Sequence, residues 1–141
     1  MGGREGERAG TDTNMPSPDK LSIVLQSGAF DRIHYALVLA SAALATGKPV
    51  TVLFTMEATR ALVPGWADPA KEADLADKGL ATFAELLEAC RELGARFMVC
   101  EMGLRATGLA RADLDPDIEI ADGSAVSFLA DASATGAMLY V

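Results

Sequence analysis

From Leu21 onward, short apolar runs alternate along the chain with longer stretches of helical periodicity. Leu21-Ser22-Ile23-Val24-Leu25-Gln26 is rich in β-branched residues and stops at Ser27-Gly28, the pattern of a strand buried on both faces. The next stretch repeats Ile33, Leu37, Ala40, Ser41 and Leu44 at helical spacing, with Asp31 as the expected N-cap and Gly47 as the stop. Small residues on that stripe let the helix lie close to a sheet. Val50–Thr55 predicts a second buried strand. The pattern then breaks. From Met56 to about Lys78 the expectation is irregular chain, with a helical turn over Met56–Leu62 and a loop punctuated by Pro64, Gly65 and Pro69. Long loops after strands often form lids or interfaces.

Regular periodicity returns at Leu80–Leu93, where Leu80, Phe83, Leu87 and Cys90 share one stripe and Gly94 ends the helix. Arg96–Val99 predicts a third strand, closed by Cys100, and Met102–Leu109 a short helix after it. Asp117–Ile120 is a weak strand entry, Ser124–Ala132 a helix and Ala137–Val141 a last strand. Strands separated by helical segments imply right-handed crossovers. The expected fold class is therefore α/β, a three-layer sandwich with a mostly parallel sheet of about five strands and helices on both faces. Residues 19–141 are expected to form a single domain. Residues 1–18 read as a disordered lead, and Met15 is a candidate start.

Composition narrows the partners. Half of the 141 residues are hydrophobic and 23% are charged, so a core can form without disulfide or metal staples. Acids outnumber bases by 20 to 12, a net charge of −8, which opposes binding to nucleic acid or an anionic membrane surface. The lead lacks the apolar region of a secretory signal, and no apolar run approaches the roughly 20 residues that span a bilayer. With two cysteines, the expectation is a reduced, cytoplasmic protein.

Candidate chemistry centres on Cys100. In an open parallel sheet, ligands gather outside the carboxyl ends of the strands, and a thiol facing the first turn of the next helix meets unpaired N–H groups that favour the thiolate. Cys90 sits on a helix stripe and reads as a core residue. His34, the only histidine, follows the first strand and so falls on the same sheet edge as Cys100. It reads either as a general base for the thiol or as a helix-face histidine bonded to a carbonyl or water. No metal is expected, because paired cysteine spacing is missing, and Asp113, Asp115 and Asp117 resemble only half a calcium loop. No cofactor is expected either. Ser27–Asp31 after the first strand is neither a dinucleotide fingerprint nor a phosphate loop. Trp66, in a Pro-Gly-Trp loop, is a candidate interface anchor, and Met56, Trp66, Met98 and Met102 could rim the catalytic edge.

The chain resembles the DsrE/DsrF-like family over residues 20–141. The resemblance rests on the strand and turn Leu21–Phe30, the small-residue helix Tyr35–Thr46 with Gly47–Phe54 after it, Phe97-Met98-Val99-Cys100 before Glu101-Met102-Gly103, and the closing segment from Ser127 to Leu139. It implies a small α/β sandwich assembling as a trimer or hexamer, with Cys100 carrying sulfur as a persulfide. The expected function is that of a cytosolic sulfur carrier or sulfurtransferase-like protein that passes this sulfur to a partner thiol, with sulfur donor and acceptor proteins as partners. Cys100 is the candidate catalytic residue, and Gly28, Phe30, His34, Glu101, Met102 and Gly103 are expected to line its site. Glu101 would oppose the thiolate by like-charge repulsion. Two other readings stay open. One is a non-catalytic oligomeric binding module in which Cys100 merely lines a pocket. The other is a redox pair of Cys90 and Cys100, which requires Cα atoms within about 7 Å.

Overall fold

A computed structural model describes residues 17–141; all but two residues of the expected lead, 1–16, lie outside the described residues. Five strands form one sheet in the order β4-β3-β2-β1-β5, and every neighbouring pair is parallel. They are β1 (Leu21–Leu25), β2 (Val50–Phe54), β3 (Arg96–Cys100), β4 (Ile120–Gly123) and β5 (Ala137–Tyr140). The helices are α1 (Phe30–Ala45), α2 (Pro69–Asp77), α3 (Phe83–Glu92), α4 (Glu101–Thr107) and α5 (Ala125–Asp131), with a 3₁₀ segment at Met56–Leu62. The α/β sandwich expected from the alternation is thus the fold of the chain.

Strand alternation divides the core unequally. Ile23, Leu25, Val52, Phe54, Phe97, Val99 and Ile120 point to one face, where α1, α3 and the 3₁₀ segment cover them with Ile33, Leu37, Leu62, Phe83, Leu86 and Cys90. On the other face, among the described residues, Leu53, Met98 and Cys100 cluster with Phe128 of α5, with Val24 and Ala121 partly buried beside them. Among the described residues, the helix that covers this cluster is the seven-residue α5. Its C-terminal end is held by a clasp in which Asp131 accepts from Lys20 Nζ at 2.7 Å and from Thr51 Oγ1 at 2.6 Å.

Several boundaries differ from the sequence expectation for identifiable reasons. Ala29, not Asp31, is the N-cap residue of α1, and Asp31 lies in the first turn, where a carboxylate still complements the helix dipole. The segment expected to be irregular contains α2, started by the Asp68 side chain accepting from Ala70 N–H at 2.9 Å, with Pro69 at the first position. Helix α3 begins at Phe83 instead of Leu80, because Thr82 and Glu85 form a reciprocal capping box. Leu80 is 54% exposed and takes no part in the buried stripe. Strand β4 begins at Ile120, where the weak strand entry was expected to finish. Asp113 and Asp115 serve their own turns, accepting from Ala110 N–H at 2.8 Å and Asp117 N–H at 2.9 Å. No helix among the described residues is long and apolar enough to cross a membrane.

Candidate functional site

Parallel register brings the site together. Val99 on β3 pairs with Phe54 on β2, so the next residues, Cys100 and Thr55, emerge side by side at the carboxyl edge. Thr55 Oγ1 lies 2.9 Å from Cys100 Sγ. Cys100 is also the N-cap residue of α4, and its sulfur accepts a hydrogen bond from Gly103 N–H at 3.2 Å. The thiol therefore faces a hydroxyl on one side and a backbone donor on the other. Either partner of the Thr55–Cys100 pair can donate while the sulfur is protonated. Once the sulfur is an anion only the hydroxyl can, so Sγ then has two donors, Thr55 Oγ1–H and Gly103 N–H.

Close packing behind the sulfur maintains this geometry. A Cβ on Gly103 would stand 2.5 Å from Thr59 Oγ1, 2.9 Å from Met56 N and 3.1 Å from Thr55 Cα, so only glycine permits α4 to approach the 3₁₀ segment. Met56, the residue after Thr55, has φ of 48°, the one positive φ outside glycine among the described residues. A non-glycine residue in that region stores local strain, which the surrounding packing must hold. Thr59 Oγ1 is buried at this contact with no hydrogen-bond partner among the described residues.

Cys100 is only 8% exposed, yet it opens into a cavity of about 360 Å³. Val24, Leu53, Phe128 and Leu129 supply most of the apolar wall, Met102 stands at the α4 side, and Thr55, Glu101 and Ser124 add the polar groups. Glu101 pairs along α4 with Arg105 at 3.0 Å. The structure thus brings Glu101, Met102 and Gly103 together with Cys100. Thr55 was not among the residues singled out from sequence, since its neighbour is set by β2–β3 register and not by any local motif.

Gly28, Phe30 and His34 lie elsewhere. Gly28 packs against Glu57, whose Cβ would stand 2.9 Å from a Cβ placed on it. Phe30 and His34 stack with ring centroids 6.1 Å apart, on the helix that covers the opposite face of the sheet. His34 Nε2 is 2.8 Å from Ala81 O, the helix-face arrangement weighed against a catalytic one. Trp66, partly buried, packs against Phe83 at 5.0 Å and Phe30 at 5.8 Å on the flank of the chain's own core. Cys90 is fully buried among the α1 and α3 side chains, and desolvation pushes its thiol up to about 11. Both cysteines are free, and they belong to clusters on opposite faces of the sheet. This placement opposes a Cys90–Cys100 redox pair.

Comparison with curated proteins returns no significant match. The family profile of the DsrE/DsrF-like proteins matches residues 19–137, nearly the whole of the described chain. A parallel five-stranded sandwich with a capped thiol at the edge of β3 thus belongs to a member of the DsrE/DsrF-like family.

Proposed function

We propose that this protein is a sulfur carrier that holds a persulfide on Cys100 and passes it to a partner thiol. The observation that carries the reading is the pair of contacts on Sγ, Gly103 N–H at 3.2 Å and Thr55 Oγ1 at 2.9 Å, beside an open cavity. A packing cysteine needs neither donors nor access, as Cys90 illustrates on the other face of the sheet. Membership of a family associated with sulfur relay supports the same reading. In the transfer, a partner thiolate attacks the outer sulfur of the Cys100 persulfide. The new S–S bond forms as the old one breaks, and the electron pair returns to Cys100 Sγ, where Thr55 and Gly103 receive it. No cofactor or metal is needed for this exchange.

The carrier works in a reducing, cytoplasmic setting with donor and acceptor proteins as partners, and as a homo-oligomer, a trimer or hexamer, as family members often are. Met138 and Tyr140 on the edge strand β5 are half or more exposed, and assembly across that edge would bury them. Residues 19–141 act as its single domain. Selective alkylation tests the thiol assignment. Brief iodoacetamide treatment of the folded protein should label Cys100 and spare Cys90. Equal protection of both thiols, released together by denaturant, would return Cys100 to a packing role.

A further inference from the structure

The cavity beside Cys100 has a chemical character that the carrier reading does not use. Every polar side chain on its wall is already engaged: Thr55 with Cys100 Sγ, Glu101 with Arg105, and Ser124 with Ser127, whose N–H it accepts at 3.1 Å. Among the described residues no cationic side chain lines it, and the one charged group there is the Glu101 carboxylate. The cations nearest in sequence to the wall residues are paired as well, Arg105 with Glu101 at 3.0 Å, Lys20 with Asp131 at 2.7 Å and Arg96 with Asp131 at 3.9 Å. At about 360 Å³ the space lies at the small end of the roughly 300–1,000 Å³ range of ligand pockets. Thiosulfate or the carboxylates of a peptide persulfide would enter without a counter-charge, past an acid, on a chain of net charge −8.

Resting on the carrier reading, we propose that the sulfur donor bound here is a small hydropersulfide, R–S–SH, whose uncharged, apolar R group seats against Val24, Leu53, Phe128 and Leu129. Cys100 thiolate attacks the terminal sulfur of R–S–SH. The Sγ–S bond forms, the R–S–S bond breaks, and its electron pair leaves with R–S⁻. The proton stays on the transferred sulfur, so nothing is oxidised or reduced overall. Burial of R in the apolar wall orients the terminal sulfur toward Sγ and excludes water from it.

Initial rates of sulfur loading on Cys100 test this, measured by intact mass with benzyl hydropersulfide, glutathione persulfide and thiosulfate. Each rate is divided by that donor's rate with the uncharged thiol N-acetylcysteine methyl ester, which removes intrinsic reactivity. Benzyl hydropersulfide should be favoured at least tenfold over the two donors that carry charge beyond the reacting sulfur, and Leu129→Glu, at a 59% exposed rim position, should cut that preference at least threefold. Equal or faster loading from glutathione persulfide or thiosulfate would overturn the donor class and leave the carrier reading standing. So would loading that occurs only from a persulfidated protein. Failure of every donor to load Cys100 would overturn both.

Discussion

At the scale of single residues, two cysteines of one chain differ because of what surrounds each sulfur. Cys90 has carbon around it and only a distant carbonyl, Leu37 O at 3.8 Å, so burial holds the thiol neutral. Cys100 has two donors within hydrogen-bonding range. Thr55 is the informative one, since Gly103 donates through its backbone and cannot be silenced by a side-chain change. A typical hydrogen bond contributes about 0.5–1.5 kcal/mol net, up to about a factor of ten in rate. Thr55→Val keeps the shape of the side chain, so alkylation of Cys100 at neutral pH should slow about five- to tenfold with little change in melting temperature. Thr55→Ser should restore the rate. Equal rates for all three proteins would show that the hydroxyl does not act on the sulfur. Cys100 itself stood out in the sequence as the residue closing an apolar run before a helix. Thr55 did not, because a threonine ending a strand carries no signal until the register of its neighbour is known.

Among elements, the contact between α4 and the Met56–Leu62 segment decides whether the sulfur keeps its partners. Gly103→Ala would force apart groups that approach to 2.5–3.1 Å of the new methyl, two of them backbone atoms that cannot swing away. Overpacking of this kind costs about 1–3 kcal/mol. The variant should unfold at lower denaturant concentration and alkylate more slowly at Cys100. Unchanged stability would mean that the segment yields easily and holds nothing in place. The same scale shows why some elements were legible and others not. Continuous apolar runs betrayed β1, β2 and β3, which are buried on both sides by their neighbours. Helix α2 has no buried residue, so it left no apolar stripe to read, although Asp68-Pro69 is a standard start signal. Strand β4 is an edge strand whose Ile-Ala-Asp-Gly sequence carries little hydrophobicity, and it was placed too early for that reason.

Across the whole molecule, the sheet is thickly covered on one face and thinly on the other, and the candidate chemistry sits on the thin side. Helical periodicity predicted helices on both faces but could not apportion them, because crossover lengths alone do not say how much of a face a seven-residue helix hides. Asp131 secures that helix to the sheet. Burial alone would raise its pKa, but hydrogen bonds from Lys20 and Thr51 and the charges of Lys20 and Arg96 outweigh this and leave it lowered. A carboxylate held below its unfolded value contributes stability above about pH 4, lost as the pH falls through the folded pKa. Asp131→Asn should therefore cost about 1–2 kcal/mol at neutral pH, with the difference from wild type shrinking below about pH 4. A gap in melting temperature that persists unchanged into strong acid would assign the cost to packing instead of charge.

Whether Cys100 carries sulfur is read from intact-protein mass spectrometry after incubation with a persulfide donor. The wild type and Cys90→Ser should each gain the mass of one sulfur, removable by reductant, while Cys100→Ser gains none. A gain that survives in Cys100→Ser and disappears in Cys90→Ser would reverse the roles of the two thiols. No gain in the folded wild type would contradict the account and leave Cys100 as part of the wall of a binding pocket.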